Sequence, residues 1–141
     1  MIRDYVKQDA TAIYVINNNS FDKPEPSISL SVHIAKGKTW VAEDNGKVVG
    51  FLIASYSVDR PYIYNLAVLP EYRKIGIGTE LIKVFETHFK GKGKPYLHVN
   101  ANNPARYLYE KLGYKIEARH KNFYSQGQDA LIMVKEGCGC N

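Results

Sequence analysis

The sequence contains little cysteine and no long hydrophobic run. Its two cysteines, Cys138 and Cys140, are one residue apart near the C-terminus, so they cannot form a disulfide framework. No further ligands flank them at a suitable spacing, and we expect no metal site. The longest apolar stretch, 48–54, includes a glycine and is far shorter than the roughly 20 residues that cross a bilayer. No apolar segment follows Met1, so we expect a cytoplasmic protein with no signal peptide and no membrane partner.

The composition is typical of a folded domain. The chain has 141 residues, of which 45% are hydrophobic and 23% are charged, and these proportions argue against disorder. Because a domain commonly has about 100–200 residues, we predict one domain over 1–136. The glycine- and cysteine-containing end is predicted to be a flexible tail over 137–141.

The positive charge is concentrated in the C-terminal part of the chain. The net charge is +5, and residues 90–141 hold nine Lys/Arg against four Asp/Glu. This excess indicates an anionic ligand, either nucleic acid or a phosphorylated cofactor, unless it is only a solvated surface. No RNA-binding motif with interleaved aromatic residues is present, so we expect no nucleic-acid partner.

Turn and periodicity signals predict an α/β protein with a mixed sheet and helices on both faces. Asn45–Gly46 lies between apolar runs and predicts a β-hairpin, and Arg60–Pro61 predicts a turn before the next strand. Asp9 is expected to cap the first helix, and the second helix has Ile28, Val32 and Ala35 at roughly helical spacing.

The strand–helix–strand passage over 62–99 predicts a parallel unit with a right-handed crossover. Other helices and strands are predicted over 9–18, 27–36, 40–43, 48–57, 104–112, 114–119 and 130–134.

A glycine-containing segment between a predicted strand and a predicted helix is the first candidate site. In Arg73-x-x-Gly76-x-Gly78, glycine lets backbone N–H groups approach a phosphate, and the helix dipole favours negative charge. Arg73 and Lys74 add cationic donors. The segment lacks the third glycine of a dinucleotide fingerprint and the Gly-Lys-Ser/Thr of a P-loop. A tight turn without a ligand remains the alternative on these residues alone.

Longer motifs carry a family resemblance that covers nearly the whole chain. The pattern Val68-x-Pro70-x-Tyr72-Arg73-x-x-Gly76-x-Gly78-x-x-Leu81 resembles the acetyl-CoA loop of the GNAT N-acetyltransferases, and the segment 103–114 resembles their second conserved block. Leu97-His98-Val99 and Asn122-Phe123-Tyr124 are similar to protein Nα-acetyltransferases of bacterial, archaeal and eukaryotic methionine-accepting types. The resemblance implies the GNAT fold, which is a mostly antiparallel sheet with a splayed parallel strand pair. It also implies acetyl-CoA as co-substrate, no metal, and protein or peptide N-termini as acceptors.

The resemblance assigns three catalytic residues. His98 is the expected base, Tyr62 is expected to position the amine or help take its proton, and Tyr109 is expected to hydrogen-bond the sulfur of CoA. The chemistry is consistent, because an α-amine with a pKa of ~8 needs only a weak base. A strand histidine facing solvent and a structural tyrosine are the alternatives for His98 and Tyr62.

Two further sets of residues follow from the resemblance. The cofactor set includes a backbone N–H near Leu66 or Ala67 as oxyanion donor, and its remaining members are Val68, Arg73, Lys74, Ile75, Gly76, Ile77, Gly78, Thr79, Asn103 and Tyr109. Helix capping explains Asn103 equally well. The acceptor set, which forms the expected peptide cleft, is Phe21, Pro24, Tyr62, Phe123 and Tyr124.

One departure from the family pattern concerns the acceptor. The family often has an acidic residue near position 17, where this chain has Asn17, Asn18 and Asn19. A small-molecule amine acetyltransferase on the same fold is therefore an alternative. A non-catalytic module that binds acetyl-CoA or nucleic acid is a second alternative.

Overall fold

The computed structural model describes residues 1–21 and 24–136, so the predicted tail lies outside the described residues. No helix in these ranges is both long and apolar enough to cross a membrane. The described residues form seven strands and four helices. In chain order these are β1 (Ile2–Asp4), α1 (Ala10–Ser20), α2 (Ser27–Lys36), β2 (Lys38–Asp44), β3 (Lys47–Ser57), β4 (Arg60–Val68), α3 (Ile77–His88), β5 (Tyr96–Asn100), α4 (Ala105–Lys111), β6 (Tyr114–Ser125) and β7 (Gln128–Lys135).

All seven strands form one sheet in the order β1-β2-β3-β4-β5-β7-β6. The strands β4 and β5 are parallel, with Tyr62 opposite Tyr96 and Ile63 opposite Leu97. The pairs β1–β2, β2–β3, β5–β7 and β6–β7 are antiparallel. The sheet therefore confirms the predicted mixed, mostly antiparallel fold and the parallel β4–α3–β5 unit.

The chain divides into two compact units, and the first comprises Met1–Ser55 with Tyr64–Phe85. Its core cluster contains buried side chains from two helices and three strands, namely Ile13, Ile16, Leu30, Val41, Phe51, Ile53 and Ala67. Six consecutive residues of β3, Val49 to Ala54, are buried. Because side chains alternate along a strand, both faces of this part of β3 are covered.

The start of α1 differs from the predicted side-chain cap. Asp9 stands at the N-cap position, but its carboxylate makes no cap bond to α1. It accepts the Val6 N–H at 2.8 Å and two bonds from the Arg3 guanidinium at 2.9 and 3.0 Å. The bidentate guanidinium holds the pKa of Asp9 below its usual value. The prediction of a capping role was wrong because a charged partner from β1 takes both carboxylate oxygens.

The buried face of α2 also differs from the predicted one. Leu30 is fully buried, whereas Ile28 and Val32 are 75% and 43% exposed. Ile34, one turn after Leu30, packs partly against the core cluster. The side of α2 that faces the core therefore carries Leu30 and Ile34. The predicted face, with Ile28, Val32 and Ala35, was wrong because roughly helical spacing alone does not fix which side of a helix is buried.

The second unit comprises Tyr56–Ile63 with Glu86–Asn141. Leu97 and Val99 of β5 and Leu131 and Met133 of β7 are buried on one face of the sheet. The predicted turn at Arg60–Pro61 was wrong, because both residues belong to β4 and the turn is formed by Val58 and Asp59 at φ 47° and 60°. The last hairpin is longer than predicted, since β6 continues to Ser125.

Candidate active site

The predicted phosphate loop lies in the first unit and is shaped by its backbone. After a short 3-10 turn over Pro70–Tyr72, Lys74 and Gly76 have φ values of 66° and 94°, and α3 begins at Ile77. The Arg73 Nε donates to the Val68 carbonyl at 2.8 Å, which fastens the start of the loop to the end of β4. A Cβ placed on Gly76 would meet no atom within 4 Å. The backbone there is open to a ligand, which fits the phosphates of CoA.

The other predicted cofactor residues of the first unit flank this loop. Ala67 belongs to the core cluster, while Leu66 and Val68 are half-buried. Within the loop Ile75 is 66% exposed, and Ile77, Gly78 and Thr79 are half-buried at the start of α3. The expected contacts of these residues with the cofactor stay predictions.

In the second unit, β5 directs His98 away from the buried core. Leu97 and Val99 are 1% and 5% exposed, and strand alternation places the half-buried His98 on the opposite face. The Tyr62 hydroxyl lies 2.9 Å from His98 Nδ1. Two residues that sequence reasoning assigned to the same proton transfer are therefore hydrogen-bonded to each other.

Aromatic side chains surround the His98 imidazole. The Phe123 ring is stacked on it, with centroids 5.5 Å apart and 13° between planes. The His120 ring is edge-on to His98 at 6.4 Å. Burial, with a smaller contribution from the His120 charge, lowers the pKa of His98. The imidazole is consequently neutral at pH 7, the state that a proton acceptor requires.

Tyr109 is buried on α4, with 5% of its surface exposed. Burial, and then the nearby hydroxyls of Tyr124 and Tyr62, raise the pKa of Tyr109 well above the ordinary tyrosine value. Its hydroxyl therefore keeps its proton at neutral pH and can donate a hydrogen bond. A raised pKa suits orientation of a thiolate better than complete proton transfer to it.

The predicted acceptor residues occur in both units. In the first, Phe21 packs partly against the core cluster and Pro24 is half-buried. In the second, Phe123 and Tyr124 lie on β6 and are 54% and 38% exposed. Their contacts with a peptide stay predictions.

Asn103 has the structural role that was its alternative explanation. Its Oδ1 accepts the Ala105 N–H at 2.9 Å, at the start of α4. This bond satisfies one of the unpaired N–H groups of the first helical turn. The contact of Asn103 with the pantetheine arm stays a prediction.

The unusual Asn17 is fully buried in the first unit. Its Nδ2 donates to the Glu25 carbonyl at 2.9 Å, and its Oδ1 accepts a bond from Asn65 Nδ2 at 3.1 Å. Asn65 was not singled out from the sequence, although it is a polar residue between Ile63 and Ala67 at the buried positions of β4. That position in the alternation was the signal that could have identified it.

His120 and Asp129 were also not singled out as site residues. His120 lies opposite Ala130 in the β6–β7 ladder, and the predicted end of β6 at residue 119 placed it outside a strand. Asp129 binds the Asn122 N–H and the Arg119 side chain. The signal that could have identified Asp129 was its position across the hairpin from Asn122, because Asn and Asp side chains commonly bond to nearby backbone groups.

Comparison with known proteins places these features in a family. The model of the acetyltransferase (GNAT) domain matches residues 35–116. An uncharacterised N-acetyltransferase of Methanocaldococcus jannaschii is 32% identical over 96% of this chain and 91% of its own length. An N-alpha-acetyltransferase of Sulfurisphaera tokodaii is 29% identical over 94% of this chain and 90% of its own length.

Solved structures agree with these sequence matches. The ribosomal-protein-S18-alanine N-acetyltransferase of Escherichia coli superposes with a TM-score of 0.86 and 25% identity, covering 96% of this chain and 92% of that one. Ard1 of Thermoplasma volcanium gives a TM-score of 0.84 and 26% identity, covering 96% of this chain and 95% of that one. The fold and the family match define an acetyl-CoA-dependent acyltransferase. The chain belongs to the GNAT acetyltransferase family and is an N-acetyltransferase that uses acetyl-CoA.

Proposed function

We propose that this protein transfers the acetyl group of acetyl-CoA to the α-amine of protein N-termini in the cytoplasm. The observation that carries the proposal is the hydrogen bond between Tyr62 and His98, beside the stacked ring of Phe123. Two relatives also support the proposal. The Sulfurisphaera tokodaii protein is named an N-alpha-acetyltransferase, and the Escherichia coli structure is that of a ribosomal-protein-S18-alanine N-acetyltransferase.

We assign the amine proton to Tyr62 and His98 acting as a pair. The neutral amine attacks the thioester carbonyl carbon, and as the carbon–nitrogen bond forms, the Tyr62 oxygen accepts a proton from the nitrogen while its own proton passes to His98 Nδ1, 2.9 Å away. The resulting tetrahedral oxyanion then collapses, and the carbon–sulfur bond breaks to release CoA as a thiolate. The lowered pKa of His98 keeps it available as the final proton acceptor.

Two further steps use the remaining predicted residues. The oxyanion is assigned to a backbone N–H near Leu66 or Ala67, where fixed donors stabilise developing charge. The departing sulfur is assigned to the hydroxyl of Tyr109, which the structure keeps protonated. The phosphates of CoA are assigned to the segment from Arg73 to Thr79.

The choice of an α-amine over a lysine follows from the acid–base chemistry. An α-amine has a pKa of ~8 and a lysine one of ~10.4, so at pH 7 the α-amine is neutral hundreds of times more often. The titratable groups that adjoin His98 in this cluster are a phenol and a second imidazole. Such weak bases suit an amine that is already partly neutral.

A substrate panel tests the proposal. Peptides that begin with Met, Ala or Ser should be acetylated at the first residue, as located by fragment mass spectrometry. The same peptides with a blocked N-terminus and an internal lysine should not react. Faster turnover of polyamines, aminoglycosides or free amino acids would overturn the assignment to protein N-termini and favour a small-molecule acceptor.

A further inference from the structure

The hairpin of β6 and β7 contains a wide bulge next to His98. His120 lies opposite Ala130, and Ser125 lies opposite Gln128. Between these two pairs, the four residues 121–124 of β6 face the single residue Asp129 of β7. Such irregularities redirect side chains and are common beside active sites.

The side chain of Asp129 holds this bulge. Its Oδ1 accepts the Asn122 N–H at 2.9 Å, and its Oδ2 accepts a bond from Arg119 Nε at 2.7 Å. Asn122 has a φ of 55°, a left-handed conformation that asparagine adopts more readily than most residues other than glycine. Its own Oδ1 accepts the Gly127 N–H at 2.7 Å and closes the turn. The carboxylate of Asp129 therefore joins two points of the bulged strand, Arg119 and Asn122, to β7.

The residue that follows Asn122 connects the bulge to the proposed base. Phe123 stacks on the His98 imidazole at 5.5 Å and is edge-on to His120 at 6.0 Å. We propose that Asp129 is a positioning residue for catalysis: by fixing the bulge, it keeps the Phe123 ring on His98 and the imidazole aligned with the Tyr62 hydroxyl. This inference rests on the proposed function, because it concerns how the base of that reaction is held.

The groups that act on His98 come from β4, which pairs with β5, and from β6, which is separated from β5 by β7. The Tyr62 hydroxyl approaches from β4, and the His120 imidazole and the uncharged Phe123 ring approach from β6. Tyr109 of α4 lies near Tyr62, and its buried hydroxyl stays protonated. If the Phe123 ring leaves, water reaches the imidazole, and the charged form becomes easier to populate.

The first test is an NMR titration of His98 in the free protein. In Asp129→Ala and in Phe123→Leu, the pKa of His98 should rise toward the ordinary histidine value of about 6.5. Asp129→Asn keeps an oxygen acceptor for the Asn122 N–H and should restore most of the wild-type titration. Glu117→Gln removes one negative charge from an exposed position of β6, the strand that pairs with the strand of Asp129, so it serves as the control for loss of charge and should leave the His98 titration unchanged.

The second test measures the reaction with the best peptide substrate. Asp129→Ala should lower kcat/KM for the peptide by roughly tenfold, a part of the 10²–10⁴ that a general base contributes. The ascending limb of its pH profile should move to higher pH, and the KM for acetyl-CoA should stay unchanged. Phe123→Leu combined with Asp129→Ala should add little to Phe123→Leu alone, because both changes act through one contact.

The outcomes separate this inference from the proposed function. A His98 titration that is the same in wild type, Asp129→Ala and Phe123→Leu would overturn the positioning role, whichever amine the enzyme accepts. If Asp129→Ala fails to fold, Asp129→Asn and Phe123→Leu still report on the same contact. A shifted titration in a protein that acetylates no peptide would support the positioning role and overturn the peptide substrate.

Discussion

The predicted phosphate loop of the first unit and the cluster around His98 in the second unit are built in different ways. The loop presents its backbone, with Lys74 and Gly76 in positive-φ conformations and open space where a Cβ of Gly76 would project. The cluster presents side chains from three strands, with the Tyr62 hydroxyl and the Phe123 ring each in contact with His98. The loop is local in sequence, whereas the cluster joins residues that are far apart in the chain.

This difference predicts how each region responds to substitution. A backbone site tolerates changes of side chain wherever the conformation is kept, and it fails where glycine is required. A side-chain site fails when a reacting atom is removed, even though the backbone is unchanged. Substitutions at the two regions should therefore separate binding of CoA from transfer of the acetyl group.

The largest expected effect is at His98. Replacing His98 with Ala should lower kcat/KM by roughly 10²–10⁴-fold, the usual contribution of a general base, while the affinity for CoA measured by calorimetry stays the same. His98→Glu should recover part of the activity, because a carboxylate can also accept the proton. The same change at the exposed His88 of α3 is the control and should leave the rate intact.

The pH dependence of kcat/KM also tests whether His98 is the base. Because an imidazole must be neutral to accept a proton, kcat/KM should rise with pH through the pKa of His98, which lies below the ordinary histidine value. His98→Ala should lose this limb and keep the limb from the α-amine near pH ~8. An unchanged profile and near-full kcat in a folded His98→Ala protein would exclude His98 as the base.

The next prediction concerns the ion pair between Arg3 and Asp9, which should affect stability and not acetyl transfer. Asp9 is 5% exposed and Arg3 is partly exposed, so Asp9→Ala should lower the free energy of unfolding by about 2 kcal/mol, less than for a fully buried pair. Asp4→Ala removes a surface ion pair with Lys38 and should cost less than about 1 kcal/mol. Urea denaturation at pH 7 measures both variants.

The pH dependence of that stability follows from the lowered pKa of Asp9. A carboxyl whose folded pKa is depressed stabilises the protein above its unfolded pKa of about 3.9, and this contribution is lost as pH falls through the folded pKa. The difference between wild type and Asp9→Ala should be constant from about pH 5 to 8 and should shrink below about pH 4. A difference that grows on acidification would contradict the ion-pair assignment.

A smaller effect is expected at the loop. Gly76→Val should weaken CoA binding by roughly tenfold, because a side chain fills the space of the phosphate approach and disfavours the positive φ. Gly46 of the β2–β3 turn has a similar φ of 80° and the same open surroundings. Gly46→Val is therefore the matched control for backbone strain, and calorimetry should show wild-type CoA affinity in it. Equal losses in the two variants would remove the loop from the CoA site.

The same contrast explains what the sequence predicted. The loop was predicted from two glycines one residue apart, and the side of the sheet that His98 faces followed from its apolar neighbours in β5. The stacking of Phe123 on His98 depends on a bulge in which four residues face one, and no local pattern specifies that pairing. The hydrogen bond between Asn17 and Asn65 joins residues 48 positions apart, so no local sequence pattern could predict it either.

The smallest predicted effect compares two hairpin turns. Asn45–Gly46 and Val58–Asp59 both connect strands through two residues of positive φ, with values of 51° and 80° against 47° and 60°. A type I′ turn needs this geometry, for which Asn-Gly is the favoured sequence and valine a poor one. The missing turn signal at Val58 explains why the sequence placed this turn two residues too late.

Val58→Asn should raise the free energy of unfolding by about 1 kcal/mol, because a β-branched residue loses roughly that much in the left-handed region and asparagine tolerates it. Val58 is 79% exposed, so the substitution removes little buried apolar surface. The reciprocal change, Asn45→Val, should destabilise the first unit by a similar amount, as measured by urea denaturation. If both variants unfold at the wild-type midpoint, the two turns differ in sequence without differing in strain. The turn is not part of the proposed active site, so Val58→Asn should keep the wild-type kcat. A gain in stability together with an unchanged kcat is therefore the result expected if valine strains this turn.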